Sequence, residues 1–175
     1  MERYFAWGAI SFAAAGALCD IRTHRIPNQL TYCGIASGIL FRTWFSGWHG
    51  MGQALLGGLA VGGAFLLFFL VQGLGAGDVK LMTAVGSWAG LQQSLAILLA
   101  TALAGGVLAV AYMVYYRRVG QTMRNIGLLA RFHRISGVRP HPQLNLSNTE
   151  CIRIPYAVAI AAGTLYASGL TIWGG

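Results

Sequence analysis

Two aspartates stand where a carboxylate is hardest to explain by solvation. Asp20 closes an apolar stretch that runs from Tyr4 to Leu18, and Asp78 sits in Gly75-Ala76-Gly77-Asp78 between two further apolar runs. The chain has four acidic residues in 175, and the other two, Glu2 and Glu150, lie at a terminus and in a hydrophilic loop. A carboxylate at membrane depth or at the membrane rim is costly, so these two point to function. Two carboxyl groups brought together can act on a polar bond. The ionised one takes a proton from water while the protonated one donates to a carbonyl or leaving group. Close approach splits their pKa values, so that both forms coexist near neutral pH. Such a pair needs no metal, no cofactor and no activated serine or cysteine. The histidines (His24, His49, His133, His141) show no ligand spacing, and Cys19, Cys33 and Cys151 form no CxxC pair. Neither a metal site nor a disulfide framework is expected.

The elements that must position these acids are membrane helices. Hydrophobic residues make up 56 % of the chain and charged residues 9 %, against the roughly 25 % charge of a soluble domain. Mean hydropathy is +0.61. The expected fold is all-α: a single polytopic domain over 1–175 with about six transmembrane helices. Hydropathy marks the spans as Tyr4 to Leu18, Leu30 to Phe45, Ala54 to Val71, Val79 to Gly90, Ser94 to Tyr116 and Ile154 to Trp173. Leu18 before Cys19 does not suit a cleaved lipoprotein signal, so the first segment is read as a retained span. Glycine pairs such as Gly57-Gly58, Gly62-Gly63 and Gly105-Gly106 are expected at close helix contacts.

Orientation follows from the basic residues. Arg22, Arg25, Lys80 and seven arginines of the loop 117–153 make ten on one side, against Arg3 and Arg42 on the other. The positive-inside rule then places the first, third and fifth loops in the cytoplasm and both termini outside. Asp20 and Asp78 emerge on the same, cytoplasmic, face. The +8 net charge therefore reflects topology, and no nucleic-acid module accompanies it. Between Arg117 and His133 the loop has the pattern of an imperfect amphipathic helix on the inner leaflet, and the reading preferred over it is a solvated topology determinant.

The residues alone leave several roles open for the acids. One is hydrolysis. A second is a proton relay in a proton-coupled carrier, although no inverted repeat is visible and the acids lie at the rim. A third is structural, with Asp20 capping a helix and Asp78 pairing with Lys80. Gly75 and Gly77 shift the balance towards a peptidase, because chain without Cβ atoms can turn sharply and admit another backbone closely.

At this point the residues carry a resemblance. Gly75-Ala76-Gly77-Asp78-Val79-Lys80-Leu81-Met82 resembles the GxGD signature of intramembrane aspartic proteases, in the form found in type IV prepilin peptidases. Asp20-Ile21-Arg22-Thr23-His24-Arg25-Ile26-Pro27-Asn28 resembles that family's first motif, and Ile154-Pro155-Tyr156-Ala157-Val158-Ala159-Ile160-Ala161 its third, with Ala157 where glycine is usual. The resemblance implies six helices, catalytic aspartates at Asp20 and Asp78, and cleavage of prepilin leaders at the cytoplasmic face of the bacterial inner membrane. The larger members carry paired CxxC motifs and methylate the new pilin terminus. This chain resembles the short form that serves Tad/Flp-type pili, for which cleavage without methyl transfer is expected. A non-enzymatic pilus-assembly protein is the remaining alternative.

Around the aspartates, Gly75 and Gly77 are expected to give room for substrate, and Pro27 to stop helix continuation. Ile26 should anchor the loop in the membrane interface and Asn28 cap the second helix. Lys80 is expected along the lipid headgroups, because it points to a different face from Asp78. Tyr156 is expected as an interface aromatic.

Overall fold

The computed structural model describes residues 2–70, 74–117 and 155–173, with single positions between 120 and 128. The reading of 117–153 beyond Arg117 falls almost wholly outside the described residues. Among the described residues, five helices with full bounds follow one another: α1 (Glu2–Thr23), α2 (Asn28–Leu70), α3 (Ala76–Ala89), α4 (Leu91–Tyr115) and α5 (Tyr156–Trp173). All but α3 are long and apolar enough to cross a membrane. Lipid offers backbone groups no partner, so the chain must satisfy them within helices.

The second and third expected spans lie in one helical element with a sharp corner. Gly47 breaks α2 at φ 58° and ψ −146°, a conformation that strains any residue with a Cβ. The corner turns the chain back, so that Gly50 packs against the Arg42 carbonyl. Its two arms, 28–46 and 48–70, run in opposite directions. A second corner at Gly90 (φ 76°) joins α3 to α4, and Ser94 Oγ donates across it to the Gly86 carbonyl at 3.2 Å. Six rods result, as expected, although hydropathy reads the boundary between the second and third as a loop.

The short α3 is the axis of the bundle, with eight of its 14 residues buried. Small residues set how closely the others approach it. On the first arm of α2, Gly34 faces Ala84 and Gly38 faces Ser87 and Trp88, so this arm runs parallel to α3. On the second arm, Gly57 meets Gly86 and Gly62 meets Thr83, so this arm runs antiparallel. On α1, Gly8 lies against the Trp88 indole and Gly16 against Leu81, which is again antiparallel. Trp88 Nε1 donates to the Gly34 carbonyl at 3.0 Å and pins α3 to the first arm. Helix α5 completes the bundle against α1 and α4, with Gly163 at Thr101. Exposed Tyr4, Trp44, Trp48 and Trp173 gather at one end and Tyr115 and Tyr116 at the other, as aromatic residues do at the two membrane interfaces.

These contacts predict contrasting glycine substitutions. A Cβ on Gly57 would collide with the Gly86 carbonyl, a backbone atom that cannot step aside. Gly57→Ala should therefore cost about 2 kcal/mol, the usual scale of overpacking. Gly63 and Gly106 face open space. Gly63→Ala and Gly106→Ala should be neutral or stabilise by up to about 1 kcal/mol through helix propensity. Thermal unfolding of the three variants in one detergent checks the ranking.

Candidate active site

The antiparallel register of α1 on α3 brings the two aspartates to one end of the bundle. Passing from Gly8 to Gly16 along α1 moves the contact from Trp88 back to Leu81 on α3. One further turn carries Asp20 to the first turn of α3, where Asp78 lies. The first helix does not stop at Leu18. It continues to Thr23, so Asp20 is fixed on the last turn of a helix rather than carried on a loop. His24 then takes a left-handed conformation, φ 50°, and the Thr23 hydroxyl lies within hydrogen-bond reach of the Cys19 and Arg25 carbonyls, at 2.9 and 3.0 Å. These contacts turn the chain into α2.

The segment between α1 and α2 is clamped onto the start of α3. Ile26 packs against the core, and a Cβ on Gly77 would stand 3.2 Å from the Ile26 Cβ. Asn28 Oδ1 accepts a hydrogen bond from Lys80 Nζ at 2.9 Å, while Lys80 also lies 5.3 Å from the centre of the Tyr32 ring. One expectation is corrected: the Asn28 side chain joins two helices instead of capping its own. Lys80, exposed at this bond, reaches back to Asn28. A lysine stem at a helix start is long enough to find a fixed acceptor on its neighbour. Pro27, exposed, stands directly before α2, and its carbonyl accepts from the Thr31 N–H at 3.4 Å.

The glycines act by leaving space rather than by turning. Gly75 is extended (φ −80°, ψ 150°) at the N-cap of α3, a conformation open to any residue. Its N–H donates to Asp78 Oδ2 at 3.3 Å, which closes the helix start and fixes the carboxyl. A Cβ on Gly75 would approach that same oxygen at 3.2 Å. Gly77 makes room for Ile26, as above.

Electrostatics links the two acids. Asp78 precedes the apolar stretch Val79–Gly90 and lies outside the four membrane-crossing helices. Burial first, and then the Asp20 carboxylate, push its carboxyl up to about 6, against the Gly75 N–H, which favours the charged form. Both residues are partly exposed, so water can reach them. The arrangement is thus a raised carboxylic acid beside a second carboxylate, with a tyrosine next to it. That tyrosine is Tyr156, the first residue of α5. It is half-buried, packed against Phe65 and Gly105, and interacts electrostatically with Asp78. Its place directly after Pro155 at a helix start signals its level in the bundle, the end that holds both aspartates, but not its partners.

Among the described residues, no group of three histidine, cysteine or acidic side chains could hold a metal ion. A polar cavity of about 590 Å³, lined by Glu2, Arg42, His49, Gln53 and Gln93 among others, lies at the opposite end of the bundle. It contains none of the residues singled out around the aspartates.

With the geometry in place, comparison with known proteins is decisive. Residues 7–110, which carry both aspartate motifs, match the family described as the type IV leader peptidase family. The chain belongs to that family. Among curated relatives, the prepilin leader peptidase/N-methyltransferase of Pectobacterium carotovorum subsp. carotovorum is 32 % identical over 119 residues, covering 61 % of this chain and 41 % of the relative. Proteins of the same name from Escherichia coli (strain K12) and Aeromonas salmonicida (strain A449) are 31 % and 30 % identical, covering 64 % and 54 % of this chain. The matched regions cover 52 % and 35 % of those two relatives, so this leader peptidase family member corresponds to about a third to a half of their length. No solved structure matches.

Proposed function

We propose that this chain is a membrane-embedded aspartic endopeptidase that removes leader peptides from type IV prepilins, of the Flp-like kind, at the cytoplasmic face of the bacterial inner membrane. The observation that carries the reading is the interlock of the two aspartate motifs. Ile26 on Gly77, Asn28 on Lys80, and Asp20 beside Asp78 all fall on the first turn of α3. The Asp78 carboxyl, pushed up to about 6 by burial and by its neighbour, is the readier of the two to carry a proton and serves as the acid, with Asp20 as the base.

In the proposed step Asp20 takes a proton from water, and the hydroxide adds to the scissile carbonyl carbon. The carbonyl electron pair moves to oxygen, which receives the Asp78 proton. Collapse of this gem-diol breaks the C–N bond, and the proton held by Asp20 passes to the departing amine. Asp78 regains its proton, and the free acid and the new amino terminus leave.

Several features support the setting. Arg22, Arg25, Lys80 and Arg117 all lie at the end that holds the aspartates, which the positive-inside rule assigns to the cytoplasm. Leu18 and Ile21, on either side of Asp20, are 50 % and 55 % exposed, an apolar approach suited to a substrate that arrives as a membrane helix. A proton relay would need acids leading to the other face. The described acid at that end, Glu2, is instead tied to Arg42 at 3.3 Å. Within these 175 residues no CxxC pair occurs, and cleavage without methyl transfer is proposed.

The test is cleavage of a membrane-inserted prepilin by the purified, reconstituted chain. A shortened pilin with a new terminus at the leader junction is expected, and an intact substrate would count against the proposal. The pH profile gives a second test. Asp78 must keep its proton to act as acid, so kcat/KM should fall as pH rises through about 6, with one proton lost on that limb. Because the carboxyls are coupled, the limb belongs to the pair. A rate that stays flat or climbs from roughly pH 5 to 9 would contradict the assignment.

A further inference from the structure

Tyr156, at the start of α5, is braced from two sides. Its ring meets Phe65 edge-on, with centroids 5.9 Å apart. Gly105 of α4 supplies the other wall, where a Cβ would strike the ring and the hydroxyl. Phe65 lies one turn beyond Gly62, the residue that faces Thr83, on the arm of α2 that runs antiparallel to α3. The contact therefore sets Tyr156 level with the first turn of α3, beside Asp78. Its hydroxyl makes no hydrogen bond among the described residues. It is not among the fully buried unpartnered side-chain atoms, so it stays reachable from outside the bundle and its donor is available to an incoming group.

We propose that Tyr156 is a third catalytic residue, whose hydroxyl donates a hydrogen bond to the carbonyl oxygen of the peptide bond held between Asp20 and Asp78. This rests on the peptidase reading above. The hydroxyl keeps its proton throughout. It stabilises the negative charge that grows on the carbonyl oxygen as water adds, before Asp78 delivers its own proton. A phenol suits this role, since it stays neutral well above the working pH and offers one directed donor. The bracing by Phe65 and Gly105 fixes that donor before substrate arrives.

The test compares wild-type enzyme, Tyr156→Phe and Gly105→Ala on a membrane-inserted prepilin, with kcat and KM measured separately and thermal unfolding recorded for each. Phenylalanine keeps the ring contacts and removes only the donor. Tyr156→Phe should lower kcat about 100- to 1,000-fold, as loss of one oxyanion donor does, with KM within about twofold and the unfolding temperature unchanged. Gly105→Ala retains the hydroxyl but displaces it, and should also lower kcat. Wild-type activity in Tyr156→Phe would overturn the proposal and leave the peptidase reading standing. So would a loss that merely follows a drop in the folded fraction. A wild-type chain that does not cut would defeat the peptidase reading itself.

Discussion

Asp20→Asn and Asp78→Asn should each abolish prepilin cleavage, lowering the rate by at least about a thousandfold, within the range typical for loss of an acid or base. Asparagine keeps the shape of the side chain and cannot exchange a proton. Neither variant should unfold. Asp78 has one hydrogen bond to lose, from the Gly75 N–H at 3.3 Å, and its carboxyl is held at a cost that the neutral amide relieves. In Asp78→Asn the new amide oxygen can still accept from the Gly75 N–H. Asp20→Glu and Asp78→Glu should also be poor, because one methylene moves the carboxyl beyond the tolerance of a shared water. Helix content and unfolding temperature separate loss of chemistry from loss of fold. Substantial cleavage by a folded single variant would remove the paired-acid mechanism.

The second large effect belongs to stability and lies at the other end of the molecule. Arg42 is 5 % exposed. Its Nε donates to the Trp88 carbonyl at 2.8 Å, and its Nη2 to the Ala89 carbonyl at 2.6 Å. Its guanidinium stands 4.3 Å from the centre of the Phe5 ring. Trp88 and Ala89 end α3, where carbonyls have no partner within the helix. The fork of Arg42 thus terminates the central helix from outside. Arg42→Ala would bury both carbonyls unpaired, at about 1–3 kcal/mol each, and should cost roughly 3 kcal/mol or more in all. Arg42→Lys keeps the charge and loses the fork, so it should recover only part. Glu2→Gln should matter little, below about 1 kcal/mol, because Glu2 is 61 % exposed and its pairing is screened. The folded fraction of Arg42→Ala should cut substrate normally, since the aspartates lie at the opposite end. Denaturation in detergent, with activity scaled to folded protein, checks both parts. An unfolding midpoint unchanged in Arg42→Ala would refute the role.

The place of the two acids was the legible part of this chain. Acids are scarce in an apolar sequence, so Asp20 and Asp78 stand out, and the structure sets both at one end of the bundle. The helical rods were legible because a stretch that must sit in lipid has one backbone solution. Hydropathy averaging misplaces the boundaries for a physical reason. It ends the first span at Leu18, yet backbone pairing carries α1 on to Thr23. It reads a loop around Ser46–Gln53, yet one positive-φ glycine at Gly47 is enough to reverse the chain. Arg42 counts in the sequence as a topology charge, whereas a lone arginine inside an apolar run also marks a buried partner. The Lys80–Asn28 bridge and the burial of Tyr156 were not legible, because both depend on which helices become neighbours. Pattern along one helix does not report that.

Whether Asp20 and Asp78 form one site at one membrane face is tested most directly by crosslinking. In a chain with Cys19, Cys33 and Cys151 changed to serine, Asp20→Cys and Asp78→Cys would be combined and treated in membranes with a short bifunctional thiol reagent. Ile26→Cys with Gly77→Cys provides the positive control, since those Cβ positions are 3.2 Å apart. Asp20→Cys with Trp173→Cys spans opposite ends and provides the negative one. The account predicts that the 20/78 pair is bridged, and that an impermeant thiol reagent reaches both positions from the cytoplasmic side. A 20/78 pair that stays unbridged while the 26/77 pair reacts, or two positions labelled from opposite sides, would contradict it.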